Sequence, residues 1–206
     1  KPGANTILAA EAVASAPADG YTLLMAATNH TMIPALYSAR VKFDAVRSFA
    51  PICTLAVSPT VLVTGPAMNA KTLNAFMQQV REAPGQRSYG TPGSGSSGHF
   101  ASEQFLRMTN LSMNHIPYKG AAPAYTDLLA GRLQVMFDTT PAAIGFVKSG
   151  QLRFLAASTA KRTAAAPDVP TISEAAGLPG FDVLGWLGIL APAGMDPALQ
   201  RRLNQD

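Results

Sequence analysis

Apolar and polar positions along this chain keep two alternating rhythms. Leu73, Phe76, Met77 and Val80 recur at i, i+3, i+4 and i+7, which places them on one helix face. Thr72 stands where a hydroxyl can accept from first-turn N–H groups, and Gly85 where a helix stops. The same rhythm predicts a helix carrying Ala101, Phe105 and Met108, and another carrying Tyr125, Leu128 and Leu129, closed by Gly131. A third covers 141–149 and ends at Gly150. Short apolar runs between them predict strands: one ending at Tyr89, then 113–116, 133–137 and 152–157. The order β-α-β-α-β-α-β fits a parallel or mixed sheet with helices on its faces.

The first third is less regular. Residues 4–14 are Ala-rich and helical, ending before Pro17 and the Asp19-Gly20 turn. A strand over 21–25 opens into the polar loop Thr28-Asn29-His30-Thr31, followed by a short helix at 33–37. Two strand-like runs, 52–57 and 60–64, are separated by Ser58-Pro59. Near the other end, 163–182 carries Pro167, Pro170, Pro179 and Gly180 and reads as a connecting segment. Residues 187–190 are apolar again, and Pro192 and Gly194 precede a last helix. No internal repeat or low-complexity tract interrupts the pattern.

Composition narrows the classes. A chain of 206 residues, 48% hydrophobic and 14% charged, can bury a core and is not of the disordered type. Its net charge of +4 raises nucleic acid as a partner. The basic residues are scattered, however, with tight pairs only at Lys161-Arg162 and Arg201-Arg202, which argues against it. Cys53 is the single cysteine, and His30, His99 and His115 lack ligand spacing, so no disulfide within the chain and no metal site is expected. No apolar run reaches the roughly 18 residues that cross a bilayer. The chain starts at Lys1 in sequence that reads as mid-domain and stops at Asp206 inside a helical pattern. We therefore expect a fragment of a longer protein, and the missing leader says nothing about export.

The stretch Gly93-Ser94-Gly95-Ser96-Ser97-Gly98 is a literal G-x-G-x-x-G with three readings. A dinucleotide cradle needs a buried strand before it and an acid about 20 residues on. Here Gln86-Arg87-Ser88 precedes the loop and Pro117-Tyr118-Lys119 follows the next strand, so this reading is weak. A nucleophile elbow at Ser96 needs an acid and then a histidine further along, an order that Glu103 and His115 do not meet well. The third reading is a backbone nest. A Gly/Ser loop at a helix start exposes N–H groups at the positive end of the helix dipole, and Ser94 and Ser96 add hydroxyl donors. An unliganded strand-to-helix turn has the same spacing.

Taken together, several stretches resemble the substrate-binding proteins of tripartite tricarboxylate transporters, the Bug proteins. They include Pro2-Gly3-Ala4-Asn5, Ala18-Asp19-Gly20-Tyr21-Thr22-Leu23-Leu24, and His30 with Pro34-Ala35-Leu36-Tyr37. The glycine loop with His99, Pro117-Tyr118-Lys119-Gly120, Asp127-Leu128-Leu129-Ala130-Gly131 and Met136-Phe137-Asp138 continue the series. Ala160-Lys161-Arg162, Pro167-Asp168-Val169-Pro170-Thr171, Gly177-Leu178-Pro179-Gly180-Phe181 and Trp186 through Ala191-Pro192-Ala193-Gly194 complete it. The order and spacing carry the likeness, more than any one motif.

The resemblance implies an α/β, two-lobed periplasmic-binding-protein fold (type II, Venus-flytrap), truncated here at both ends. It places lobe 1 at 1–62, completed by 185–206, and lobe 2 at 63–184, with crossings near 61–63 and 185–190. It implies a periplasmic monomer, exported by a signal peptide in its precursor, that does no chemistry and needs no cofactor. Such a protein captures a small carboxylate in an interlobe cleft and delivers it to membrane permease subunits. The ligand class spans di- and tricarboxylates, aromatic acids and acidic amino acids. One departure is local: Met25-Ala26-Ala27-Thr28-Asn29 stands where relatives carry more Gly and Ser/Thr.

The resemblance makes Ser94, Gly95 and Ser96, with Thr91, the expected carboxylate nest of lobe 2, and Asn29 and His30 the expected lobe 1 contacts. Asp138 is expected either to contact ligand or to cap the helix that follows. Tyr118 and Lys119 are candidates for the cleft floor, and Trp186 for hinge packing or ligand stacking. His99 reads as helix surface or core and His115 as a strand residue. Two other classes stay open: a serine hydrolase using Ser96, and a ligand-sensing regulatory domain of similar fold.

Overall fold

The computed structural model describes residues 6–37 and 41–206. The Pro2-Gly3-Ala4-Asn5 motif and the start of the expected 4–14 helix lie outside the described residues. In chain order the elements are α1 (Ile7–Ala14), β1 (Leu24–Ala27), α2 (Asn29–Tyr37), β2 (Phe49–Thr64), α3 (Leu73–Glu82), β3 (Ser88–Thr91), α4 (Ser97–Thr109) and β4 (Asn114–Pro117). They continue with α5 (Ala121–Leu129), β5 (Val135–Thr139), α6 (Thr140–Lys148), β6 (Arg153–Ala157), α7 (Ile172–Ala176), β7 (Leu184–Pro192) and α8 (Pro197–Gln205).

Packing divides these elements into two compact units. Described residues up to Val57, with Trp186–Asp206, form unit 1, and Ser58–Gly185 form unit 2. The sequence reading put the divisions at 62/63 and 184/185; packing puts them at 57/58 and 185/186.

In unit 2 the strands lie in the order β6-β2-β5-β3-β4. β3 is parallel to β4 and β5, while β2 is antiparallel to β5 and β6, so the sheet is mixed. Each face of the sheet builds its own core, because side chains alternate along a strand. Leu62, Val135 and Phe137 face Phe76 of α3, Phe105 of α4 and Ile172 of α7. Val61, Val63 and Met136 face Tyr125 and Leu128 of α5 and Ala143 of α6. Thr72 caps α3 as expected, its hydroxyl accepting from Ala75 N–H at 3.2 Å.

In unit 1, β1 pairs antiparallel with β7, Leu24 opposite Leu190. Ile7, Ala10, Val13, Leu24, Ile33 and Phe49 form its main core.

Four local expectations are corrected. The 52–57 and 60–64 runs are one strand, β2, because Pro59 lies just before the paired residues Thr60–Thr64 and its missing N–H breaks no bond of that ladder. The 21–25 strand is shifted to Leu24–Ala27, with Tyr21 almost fully exposed. The loop at Thr28–Thr31 is instead the start of α2, which takes in Asn29 and His30. The 163–182 connection contains α7, held by a capping box in which the Thr171 hydroxyl accepts from Glu174 N–H and the Glu174 carboxylate accepts from Thr171 N–H.

Candidate functional site

Strands β4, β3 and β5 of unit 2 lie side by side and parallel. Each leads within a few residues into a helix: α5 after β4, α4 after β3, α6 after β5. Three helix N-termini therefore gather at one carboxyl edge. Their first N–H groups lack intrahelical acceptors, and the aligned peptides make each end partly positive.

The glycine loop shapes the middle of this edge. Gly93 and Gly95 have φ of 148° and 82°, a region that side chains disfavour. Ser96 N–H donates to Gly93 O at 3.2 Å and closes the turn. The Ser96 hydroxyl caps α4 by accepting from His99 N–H at 3.2 Å. Ser97 and Gly98 then stand in the first helical turn, where no residue four back along the helix accepts their N–H groups. Gly98 lets α4 approach β5: a Cβ there would lie 2.2 Å from Phe137 O. Tyr118 N–H to Thr91 O (3.0 Å) and Gly120 N–H to Pro92 O (2.9 Å) tie the lead-in of α5 to the same loop.

The expected residues fare unequally. Ser94 is exposed on the loop and Ser96 half-buried at its end. The Gly95 N–H already donates to Nδ1 of His99 at 3.2 Å. Thr91 is fully buried, with its hydroxyl 2.7 Å from Nε2 of His115, so it stands behind the loop rather than on its surface. Asp138 shares a sheet face with its register partner Val61 and with Tyr125, and is buried. It does not cap α6. Its Oδ1 accepts from Thr139 N–H at 2.7 Å, and Thr139 is the N-cap residue. Asp138 Oδ2 and the Tyr125 hydroxyl are buried without a hydrogen bond of normal geometry, although they are near enough to interact electrostatically. Burial pushes the Asp138 carboxyl above its ordinary pKa, against the opposing pull of Thr139 N–H and Tyr125. The Tyr118 hydroxyl donates to Asp127 Oδ2 at 2.7 Å; burial and that carboxylate push its pKa up to about 12. Lys119 is exposed.

In unit 1, Asn29 opens α2 and its Nδ2 donates to Thr6 Oγ1 at 3.0 Å. His30 is a core residue, a correction to the expected ligand contact. It is 3% exposed, stacked on Phe43 and edge-on to Phe49, with Nε2 2.9 Å from Ala45 O. The Trp186 side chain packs against the unit 1 core, and its backbone N–H donates to Thr28 Oγ1 at 2.9 Å.

Sequence reasoning missed the role of two histidines. His99 and His115 stack with ring centroids 4.3 Å apart, and His115 stacks in turn on Tyr89 at 4.9 Å. Glu103 accepts from the Tyr89 hydroxyl, and its Oε1 lies 3.9 Å from His99 Nε2. Burial first, and then the neighbouring His99, hold His115 below the usual histidine pKa, with Glu103 opposing. Burial and Glu103 push Tyr89 up. The one local signal was the spacing of His99, four residues after Gly95 at a helix start.

An α/β chain with helix N-termini gathered at a parallel-strand edge has the architecture in which small ligands bind outside the carboxyl ends of the strands. The particular family follows from comparison: the tripartite tricarboxylate transporter family receptor profile matches residues 1–206, and the chain belongs to that family. It is 35% identical over 204 residues to the UPF0065 protein in the tcbD-tcbE intergenic region of Pseudomonas sp. (strain P51), covering 99% of this chain and 60% of that protein. It is 33% identical to Protein BugT of Bordetella pertussis, covering 98% of this chain and 62% of that one. The chain thus spans about 60% of the length of these relatives. Among solved structures, R. palustris Rpa4515 with adipate superposes with a TM-score of 0.86 at 31% identity, over 100% of this chain and 68% of that one. MatC from Rhodopseudomonas palustris with bound malate gives 0.84 at 29%, over 98% and 69%. The fold is the two-lobed α/β fold of periplasmic binding proteins.

Proposed function

We propose that this chain is the ligand-capturing part of a periplasmic receptor that takes up a small carboxylate and delivers it to the membrane subunits of a tripartite tricarboxylate-type transporter. The observation that carries the reading is the Ser96-capped start of α4, reached through the glycine loop at the carboxyl edge of unit 2. Its donors are neutral: the first-turn N–H groups of α4 and the hydroxyls of Ser94, Ser96 and Ser97. Neutral donors at a helix start suit a carboxylate, because they match its charge without the cost of burying a cation. Asp138, on the Tyr125 side of the sheet, supports β5 and is a candidate for contact through water; Tyr118 and Lys119 flank the edge. The two units act as the lobes of a monomeric receptor. Unit 1 carries its own candidate, Asn29 at the start of α2. Adipate and malate, bound by the two R. palustris neighbours, are both dicarboxylates, which makes that class the first to test.

The receptor does no chemistry in this reading. The Ser96 Oγ accepts the His99 backbone N–H, which is the part of a helix cap.

The test is a thermal-shift screen of the purified protein against mono-, di- and tricarboxylates, aromatic acids and acidic amino acids. At 100 times its Kd a ligand adds about 2.7 kcal/mol to the folded state. At ~2–4 °C per kcal/mol for a chain of this size, the melting temperature rises by roughly 5–10 °C. No shift with any carboxylate at millimolar concentration would defeat the proposal.

A further inference from the structure

The glycine loop does not hold its shape alone. Gly95 is buried, in the left-handed region, and its N–H is spent on Nδ1 of His99. To accept, Nδ1 must carry no proton, which leaves Nε2 as the donor nitrogen of the ring. That nitrogen faces Oε1 of Glu103 on the same helix, 3.9 Å away. The ring plane is set by His115 of β4, stacked on it with the planes 18° apart. His115 is itself held by Thr91 Oγ1 and by the face of Tyr89 on β3, whose hydroxyl donates to Glu103. The titratable groups around His99 are therefore Glu103 on α4, His115 on β4 and Tyr89 on β3.

We infer that His99 is a positioning residue of the carboxylate site, its Nδ1 holding the Gly95 peptide inward so that the loop presents the Ser96 hydroxyl and the Ser97 N–H to the ligand. The inference rests on the carboxylate reading above. A proton on Nδ1 would set two donors face to face, so the bond to Gly95 needs the bare nitrogen.

Two measurements test this. Nitrogen-15 NMR of His99 in the ligand-free protein reads the tautomer directly, with the proton expected on Nε2. Calorimetric titration with adipate and with malate at neutral pH then compares wild type with His99→Asn and His99→Phe. The Asn Oδ1 stands in for Nδ1 as an acceptor. His99→Asn is expected to stay within about threefold of wild type, and His99→Phe to be about tenfold weaker. If His99→Phe fails to fold, the tautomer of His99 and the affinity of His99→Asn still decide. A proton on Nδ1, equal affinity of wild type and His99→Phe, or a His99→Asn protein about tenfold weaker than wild type overturns the role of His99 with the carboxylate reading intact. A wild type that binds neither these probes nor any other carboxylate of the thermal-shift screen at neutral pH overturns the carboxylate reading, and the role of His99 in ligand capture falls with it.

Discussion

Gly98 stands in the first turn of α4, where the helix packs against the middle of β5. A Cβ at this position would lie 2.2 Å from Phe137 O and 3.3 Å from its carbonyl carbon, whereas ordinary contact begins at 3.4 Å. The obstacle is backbone, held in the β2–β5 ladder opposite Leu62, and cannot rotate away. Gly98→Ala must therefore lift the start of α4 by about 1 Å, judged against a normal contact distance of ~3.5 Å. That displacement opens the packing of Phe105 against Phe137 and Phe76, whose ring centroids are now 6.0 and 6.4 Å away. Overpacking of this kind costs roughly 1–3 kcal/mol beyond the ~1 kcal/mol by which Ala is the better helix former. We expect Gly98→Ala to lose about 1–3 kcal/mol net and roughly 2–10 °C in melting temperature. It should also weaken carboxylate binding, because the Ser96 cap moves with the helix. Gly145 in α6 is the control: it is exposed, a Cβ there would meet nothing within 4 Å, and Gly145→Ala is expected to gain ~0.5–1 kcal/mol. Urea midpoints and melting curves of the two variants decide the matter. A Gly98→Ala protein as stable as wild type refutes the steric argument.

Three further outcomes are expected. Ser96→Ala removes the α4 cap and costs about 1 kcal/mol in urea unfolding, with a parallel loss of carboxylate affinity in the thermal-shift screen. Asp138 has a pKa raised by burial, so its carboxyl favours the folded state most below its ordinary value of 3.8, and the cost of burying its charge grows as pH rises above that value. Asp138→Asn is therefore expected to be more stable than wild type at neutral pH and to flatten the stability profile above the ordinary carboxylate range; a loss of stability there would mean that the carboxylate is paired. Glu174 has a pKa lowered first by the Thr171 N–H and then by Arg162, so its contribution is present above 4.5 and disappears as pH falls through the depressed value. Glu174→Gln should remove that acid limb from the melting profile while leaving the fold intact.

Local rules read from the chain set many of the elements. The spacing of Leu73, Phe76, Met77 and Val80 made α3, all four being buried on one face. Gly131 and Gly150 end α5 and α6 with φ of 75°, as stop signals do. The Thr171-Ile172-Ser173-Glu174 capping box announced α7 as clearly, but four Pro and Gly positions around it drew attention away. The glycine loop was legible as a turn leading into a helix, because the positive φ and the serine cap are properties of neighbouring residues.

Tertiary contacts decided the rest. His30 lies in a polar stretch, yet Phe43 and Phe49, far along the chain, close over it. Thr91 and Asp138 stand at strand ends, where the sequence allows either an edge or a core position. The sheet pairing chose the core, placing Thr91 against His115 and Asp138 beside Val61 and Tyr125. His99 and His115 meet because β3 and β4 pair in parallel with Tyr89 opposite His115, a register that no short window contains. Helix periods, caps and glycine turns are short-range and written in adjacent residues. Which face of a strand is buried, and which side chains meet beneath a loop, depends on long-range pairing and is settled only when the whole unit packs.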